Sequence, residues 1–137
     1  MALSTSLKSK AYMVEKTVTL PIVSGTTVGP AVPANTMVVS SGIEFVTAAG
    51  SAGTSATVAV GDGVTANLAA VDMQGKAAGT ILGGVVPSFV SADDTIDAVM
   101  VVTGAGLVAA TARIWAVVVD CNANTKAADE VDRDTLA

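Results

Sequence analysis

The chain has 137 residues, enough for one domain that buries a core unaided, and its single cysteine, Cys121, excludes an intrachain disulfide. Seven Lys and Arg against twelve Asp and Glu leave a net charge of −5, and between residues 17 and 112 the only basic side chain is Lys76, which excludes the clustered cations that nucleic acid requires. The absence of histidine excludes the usual general base and His-dependent triads, and with one cysteine no structural zinc site can be built.

Residues 1–10 are polar, lightly basic and aperiodic, and read as an N-terminal arm. Tyr12, Val14, Val18, Leu20 and Ile22 then alternate with Met13, Glu15, Thr17 and Thr19, the period-two pattern of a strand with one buried face. Lys16 interrupts the apolar face, a charge of the kind that blunts an edge strand. Two prolines and two glycines make residues 24–35 a turn-rich connection. A second strand region covers residues 36–48, with a bulge expected at Gly42, and a third covers residues 55–60, closed by Gly61-Asp62-Gly63.

Residues 64–79 carry the weakest periodicity; Leu68, Val71 and Met73 fit a short helix or an irregular crossing segment. Short strands are expected over residues 81–86 and 89–90, broken at Gly83-Gly84 and Pro87, with a turn at residues 91–94. Residues 95–103 form a strand with Ile96, Ala98, Met100 and Val102 on one face, and Gly104-Ala-Gly106 is a turn. Residues 109–120 are apolar on both faces after Arg113, as a central strand covered on both sides should be. Residues 121–137 turn polar and read as a second arm.

Strands of five to ten residues, turns every ten or so and no βαβ alternation indicate an all-β chain with a single antiparallel β-sandwich over residues 11–120. Composition agrees, since 25 Ala, 23 Val, 16 Thr and 13 Gly fill most of the chain. Whether the strand order is that of a jelly roll or of an immunoglobulin-like sandwich is not written in periodicity. No run of about 18 apolar residues could span a bilayer, and residues 1–10 hold no apolar secretory core, so no membrane partner and synthesis in a cytoplasm are expected.

Carboxylate pairs are the only catalytic candidates: Asp93 with Asp94, or Asp62 with Asp72, as acid and base or as calcium ligands. As turn residues these aspartates more simply accept hydrogen bonds from their own backbone amides, so no catalytic, metal or cofactor residue is assigned. Glu44 and Asp97 fall inside strands, where they are expected to face solvent or a partner chain. Only 14% of residues are charged while 51% are hydrophobic, against roughly 25% charged in an ordinary soluble domain. So little charge implies apolar surface buried against a partner, with Trp115 as an anchor. Of the four aromatics, Tyr12, Phe45, Phe89 and Trp115, at least two are expected to be buried, which leaves little for a sugar-binding platform.

In order, Val18-Thr-Leu-Pro21, Val32-Pro-Ala-Asn-Thr-Met-Val-Val39, Ile43-Glu-Phe-Val-Thr-Ala48, Thr54-Ser-Ala-Thr-Val-Ala-Val-Gly-Asp62, Ala92-Asp-Asp-Thr-Ile96 and Ala112-Arg-Ile-Trp-Ala-Val-Val-Val-Asp120 resemble the small structural proteins of tailed bacteriophages and cyanophages. Capsid decoration or cement proteins belong to that group. The likeness runs over residues 18–120. It implies a jelly-roll-like sandwich with extended arms, homotrimers on the outer capsid surface, the major capsid protein as partner, and a non-enzymatic stapling role. Other virion parts (a head-fibre base, tail tube or tail-spike module) or an adhesin module are the alternatives. Leu3, Leu7, Tyr12, Trp115 and Leu136 are the candidate interface residues, with both arms extended over a neighbouring subunit.

Overall fold

The computed structural model describes residues 11–50, 55–104 and 108–121. The arms assigned to residues 1–10 and 122–137, and with them Leu3, Leu7 and Leu136, lie outside the described residues, as do Ala105 and Gly106 of the expected turn.

Eleven strands follow in chain order: β1 Ala11–Leu20, β2 Gly25–Thr27, β3 Ala31–Val32, β4 Thr36–Phe45, β5 Ser55–Gly61, β6 Ala66–Asp72, β7 Ile81–Gly84, β8 Ser88–Val90, β9 Asp94–Thr95, β10 Asp97–Thr103 and β11 Ala110–Asp120. No helix occurs among the described residues, and so none long and apolar enough to cross a membrane. One sheet has the order β1-β11-β4-β7, with β8 pairing the other half of β4; the second has the order β2-β10-β5-β6. Every pairing is antiparallel, and β3 with β9 forms a two-stranded clip.

That order resolves the ambiguity left by periodicity. The chain passes repeatedly from one sheet to the other, so sheet neighbours other than β5 and β6 are distant in sequence, as in the double Greek key of a jelly roll. The inner faces meet in a core built from Leu20, Val38, Ile43, Phe45, Val58, Val60, Ile96, Ala98, Met100, Ala112, Ile114, Ala116 and Val118. Alternation along β10 and β11 places these side chains, as their period-two pattern requires.

Several expectations are corrected. Residues 66–72, within the stretch read as a short helix or irregular segment, form strand β6: it pairs with β5 through two register shifts, and those breaks in the ladder erase the period that would have marked it. The bulge of β4 lies at Val39, not Gly42. Val117 faces Ser40 while Val118 faces Val38, so the extra residue lets Val38 and the later Ile43 and Phe45 all point into the core. The turn-rich connection over residues 24–35 contains β2 and β3. Ile22 lies beyond the end of β1 and is exposed. β11 is central, yet only its inner face is fully buried; Trp115, Val117 and Val119 on the other side are half-covered, because no strand among the described residues packs there.

One polar cluster crosses the sandwich. Asn67 of β6 is buried; its Nδ2 donates to Val86 O at 2.7 Å and Ser88 Oγ at 3.1 Å, and its Oδ1 accepts from Ser41 Oγ at 3.2 Å. A buried amide satisfied on both sides fixes how the two sheets meet.

Candidate interface surface

Pairing register alone defines the outer face of the β1-β11-β4-β7 sheet. Directly opposed residues share a face, so Met13, Glu15 and Thr17 of β1 lie beside Val117, Trp115 and Arg113 of β11. These neighbour Ser40, Gly42 and Glu44 of β4, then Gly83 and Ile81 of β7, with Met37 and Phe89 at the β8 end. Ile81 is 62% exposed, Met13 58% and Phe89 54%. Large side chains so open on one face form an apolar patch of the type that marks an interaction surface.

Trp115 is the centre of this face. A side chain built on Gly42 would meet the indole Cζ2 at 2.6 Å, and one on Gly83 would meet Cη2 and Cζ2 at 3.1 Å. The indole therefore reaches from β11 across β4 to β7, over a lane kept clear by two facing glycines. This close packing, rather than a bulge, is what requires glycine at residue 42. Around the ring, Met13, Glu15, Glu44, Ile81 and Arg113 enclose a shallow depression.

Three charges meet on this face, one guanidinium between two carboxylates. Arg113 Nη1 donates to Glu44 Oε2 at 2.9 Å, and its Nε lies 3.8 Å from Glu15 Oε2. Glu44 lies on this outer face and has an ion-pair partner within its own chain. Asp97, at the start of β10, accepts from the Gly29 amide at 3.2 Å. Sequence spacing reveals neither neighbour.

Trp115 and Tyr12 are not brought together. Tyr12 pairs with Val118, whose side chain enters the core, so it projects from the opposite side of the sheet and is 39% exposed at the sandwich margin. Of the four aromatics only Phe45 is fully buried, fewer than expected. Sequence reasoning missed Met13, Met37, Ile81 and Phe89 as companions of Trp115; only β1, through Glu15 opposite Trp115 and Met13 two residues on, carried a period that could have suggested part of the set.

The carboxylate candidates do not converge. Asp62 Oδ1 accepts from the amides of Val64 and Thr65 at 3.0 and 2.6 Å, and Asp72 Oδ1 from Gln74 at 3.0 Å. Asp94 accepts from Thr95, whereas Asp93 accepts from Ala34 and ties two loops together. Among the described residues no group of three His, Cys, Asp or Glu could hold a metal ion.

On the opposite side of the sandwich, the outer face of the β2-β10-β5-β6 sheet presents Thr26, Val99, Val101, Thr57 and Ala59. It has no aromatic residue among those described, and a depression there is lined by Ala59, Gly61, Val64, Thr65 and Val99.

No protein-family model matches the chain, and no curated protein matches it in sequence. Solved structures do share its fold. A chain of the cyanophage Pam1 capsid asymmetric unit superposes with a TM-score of 0.61 at 14% identity, covering 81% of this chain and 85% of that one. A chain of the acid-stable capsid of Helicobacter pylori bacteriophage KHP30 superposes with a TM-score of 0.56 at 13% identity, covering 80% and 86%. At such identities the likeness is one of fold.

Proposed function

We propose that this chain is a structural component of a virus particle, and specifically a capsid decoration protein. In this reading it binds the outer capsid surface as an oligomer, with a homotrimer as the expected state, and stabilises contacts between major capsid subunits. The observation that carries the reading is the outer face around Trp115: an apolar surface whose few charges are paired with one another, suited to burial against protein. The fold supports it, because both capsid chains above match over most of their length as well as most of this one, so the likeness covers a whole small module. Repetition supplies the rest: many copies on a lattice hold a shell with individually modest contacts.

The test is gentle dissociation of purified particles, with mass analysis of the protein released and a heat challenge of the emptied shells. Release of this chain as a trimer together with loss of heat resistance is the expected outcome. Shells that keep their heat resistance, or release of the chain with tail components as a ring of six or a polymer, would refute the decoration role.

A further inference from the structure

We infer that the depression beside Trp115 receives an arginine side chain from a different protein, the subunit that this face covers. This rests on the assembly reading above, which has the face buried against protein.

The charges of the depression set the requirement. Arg113 Nη1 donates to Glu44 Oε2 at 2.9 Å, whereas Glu15 Oε2 reaches only Arg113 Nε, at 3.8 Å, and the Glu15 side chain is 54% exposed. One guanidinium is thus shared by two carboxylates, and the depression carries an uncompensated negative charge. In the free chain water solvates it. Burial removes that water, and a carboxylate left without a partner in an interface is costly. An anionic group would be repelled and a purely apolar one would leave Glu15 desolvated, so the covering surface must bring a cation.

The apolar walls select which cation. The Trp115 indole lies against Gly42 and Gly83 and lines the depression together with Met13 and Ile81. Trp115 and Glu15 are directly opposed on β11 and β1, close enough for one side chain to touch both. A guanidinium is planar and weakly hydrated; it stacks on an indole while its N–H fork donates to a carboxylate, and its methylene stem packs on apolar side chains. An ammonium is compact and strongly hydrated, and gives up more solvent in such a seat.

The sequence excludes a second copy as the donor. With twelve acidic against seven basic residues, a second copy approaches carrying a net charge of −5. It has two arginines, Arg113 and Arg133. Arg113 is already held by Glu44 in its own depression, and Arg133 stands between Asp132 and Asp134 in sequence.

The test is a titration of the full-length chain with an acetylated arginine amide, followed through the indole N–H signal in a nitrogen–proton NMR correlation spectrum. Trp115 is the one tryptophan, so one signal reports this site alone. A saturable shift is expected, half-complete at about 10–100 mM, as one cation–π contact and one exposed ion pair allow. The citrulline analogue, equal in shape but uncharged, should move the signal about fivefold less at the same concentration. Glu15→Gln should weaken arginine binding about two- to fivefold, while Asp72→Asn, which removes a carboxylate from the opposite sheet, should leave it unchanged. No shift with the arginine amide, equal shifts with citrulline or lysine amide, or equal losses from Glu15→Gln and Asp72→Asn would each overturn the inference. Because no particle enters the titration, it can fail while the particle test succeeds, and the reverse.

Discussion

At residue 42 there is no room for a methyl group: a Cβ would collide with Leu82 O as well as with the Trp115 indole. Gly42→Ala must therefore push β7 away from β4 or turn the indole out, and a loss of about 2–3 kcal/mol in urea denaturation is expected. Gly25, by contrast, has nothing within 4 Å of its would-be Cβ and no left-handed backbone, so Gly25→Ala should stay within about 0.5 kcal/mol in the same measurement. Asn67 is the other sensitive position. Asn67→Ala strips partners from Ser41 Oγ and Val86 O inside the sandwich and should cost about 2–4 kcal/mol, read from the same curves. In sequence, Asn67 is one polar residue in an unpatterned stretch; its role exists only because β4, β6 and β8 converge on it.

At the scale of elements, β1 stands out as a ten-residue strand that, among the described residues, is paired on one side only. Lys16 lies on its inward-facing side, and its Nζ donates to Val28 O at 3.2 Å, closing the open margin between the sheets. A charge at that point discourages a second β1 from pairing edge to edge. Lys16→Val should therefore shift the purified chain toward large, concentration-dependent species in light scattering; an unchanged size distribution would count against this role. Lys16 and its strand were legible in the sequence because β1 keeps strict period two, as do β10 and β11. β6 was not, because its two register shifts put Asn67 and Leu68 inward in succession. Nor was the bulge at Val39, since glycine at residue 42 offers a stronger local signal than a valine whose parity matters only once the core is known.

Across the whole molecule, the two outer faces differ: one carries Trp115, Met13, Met37, Ile81 and Phe89, and the other carries Val99 and Val101 among threonines and alanines, with no aromatic residue among those described. Sequence composition announced a surface poor in charge but not where it is, because a face is defined by which strands are neighbours. Trp115 stood out in the sequence as the one aromatic of its strand; its surroundings did not. The Arg113 ion pairs lie partly in water and should add little to stability, so Arg113→Met is expected to change the denaturation midpoint by an amount worth less than about 1 kcal/mol. Assembly should respond more strongly than stability, since the variant leaves Glu15 and Glu44 unpaired on the face that the proposed assembly buries. Particle occupancy measured alongside denaturation separates the two.

Oxidative footprinting tests burial of this face most directly, because Met13, Met37 and Trp115 all lie on it and all oxidise readily when exposed. Labelling of these three should fall severalfold when the chain passes from its free state into the particle, while Val99 and Val101 on the opposite face change little. Equal labelling of Met13, Met37 and Trp115 in the two states would contradict the claim that the molecule works by burying this surface.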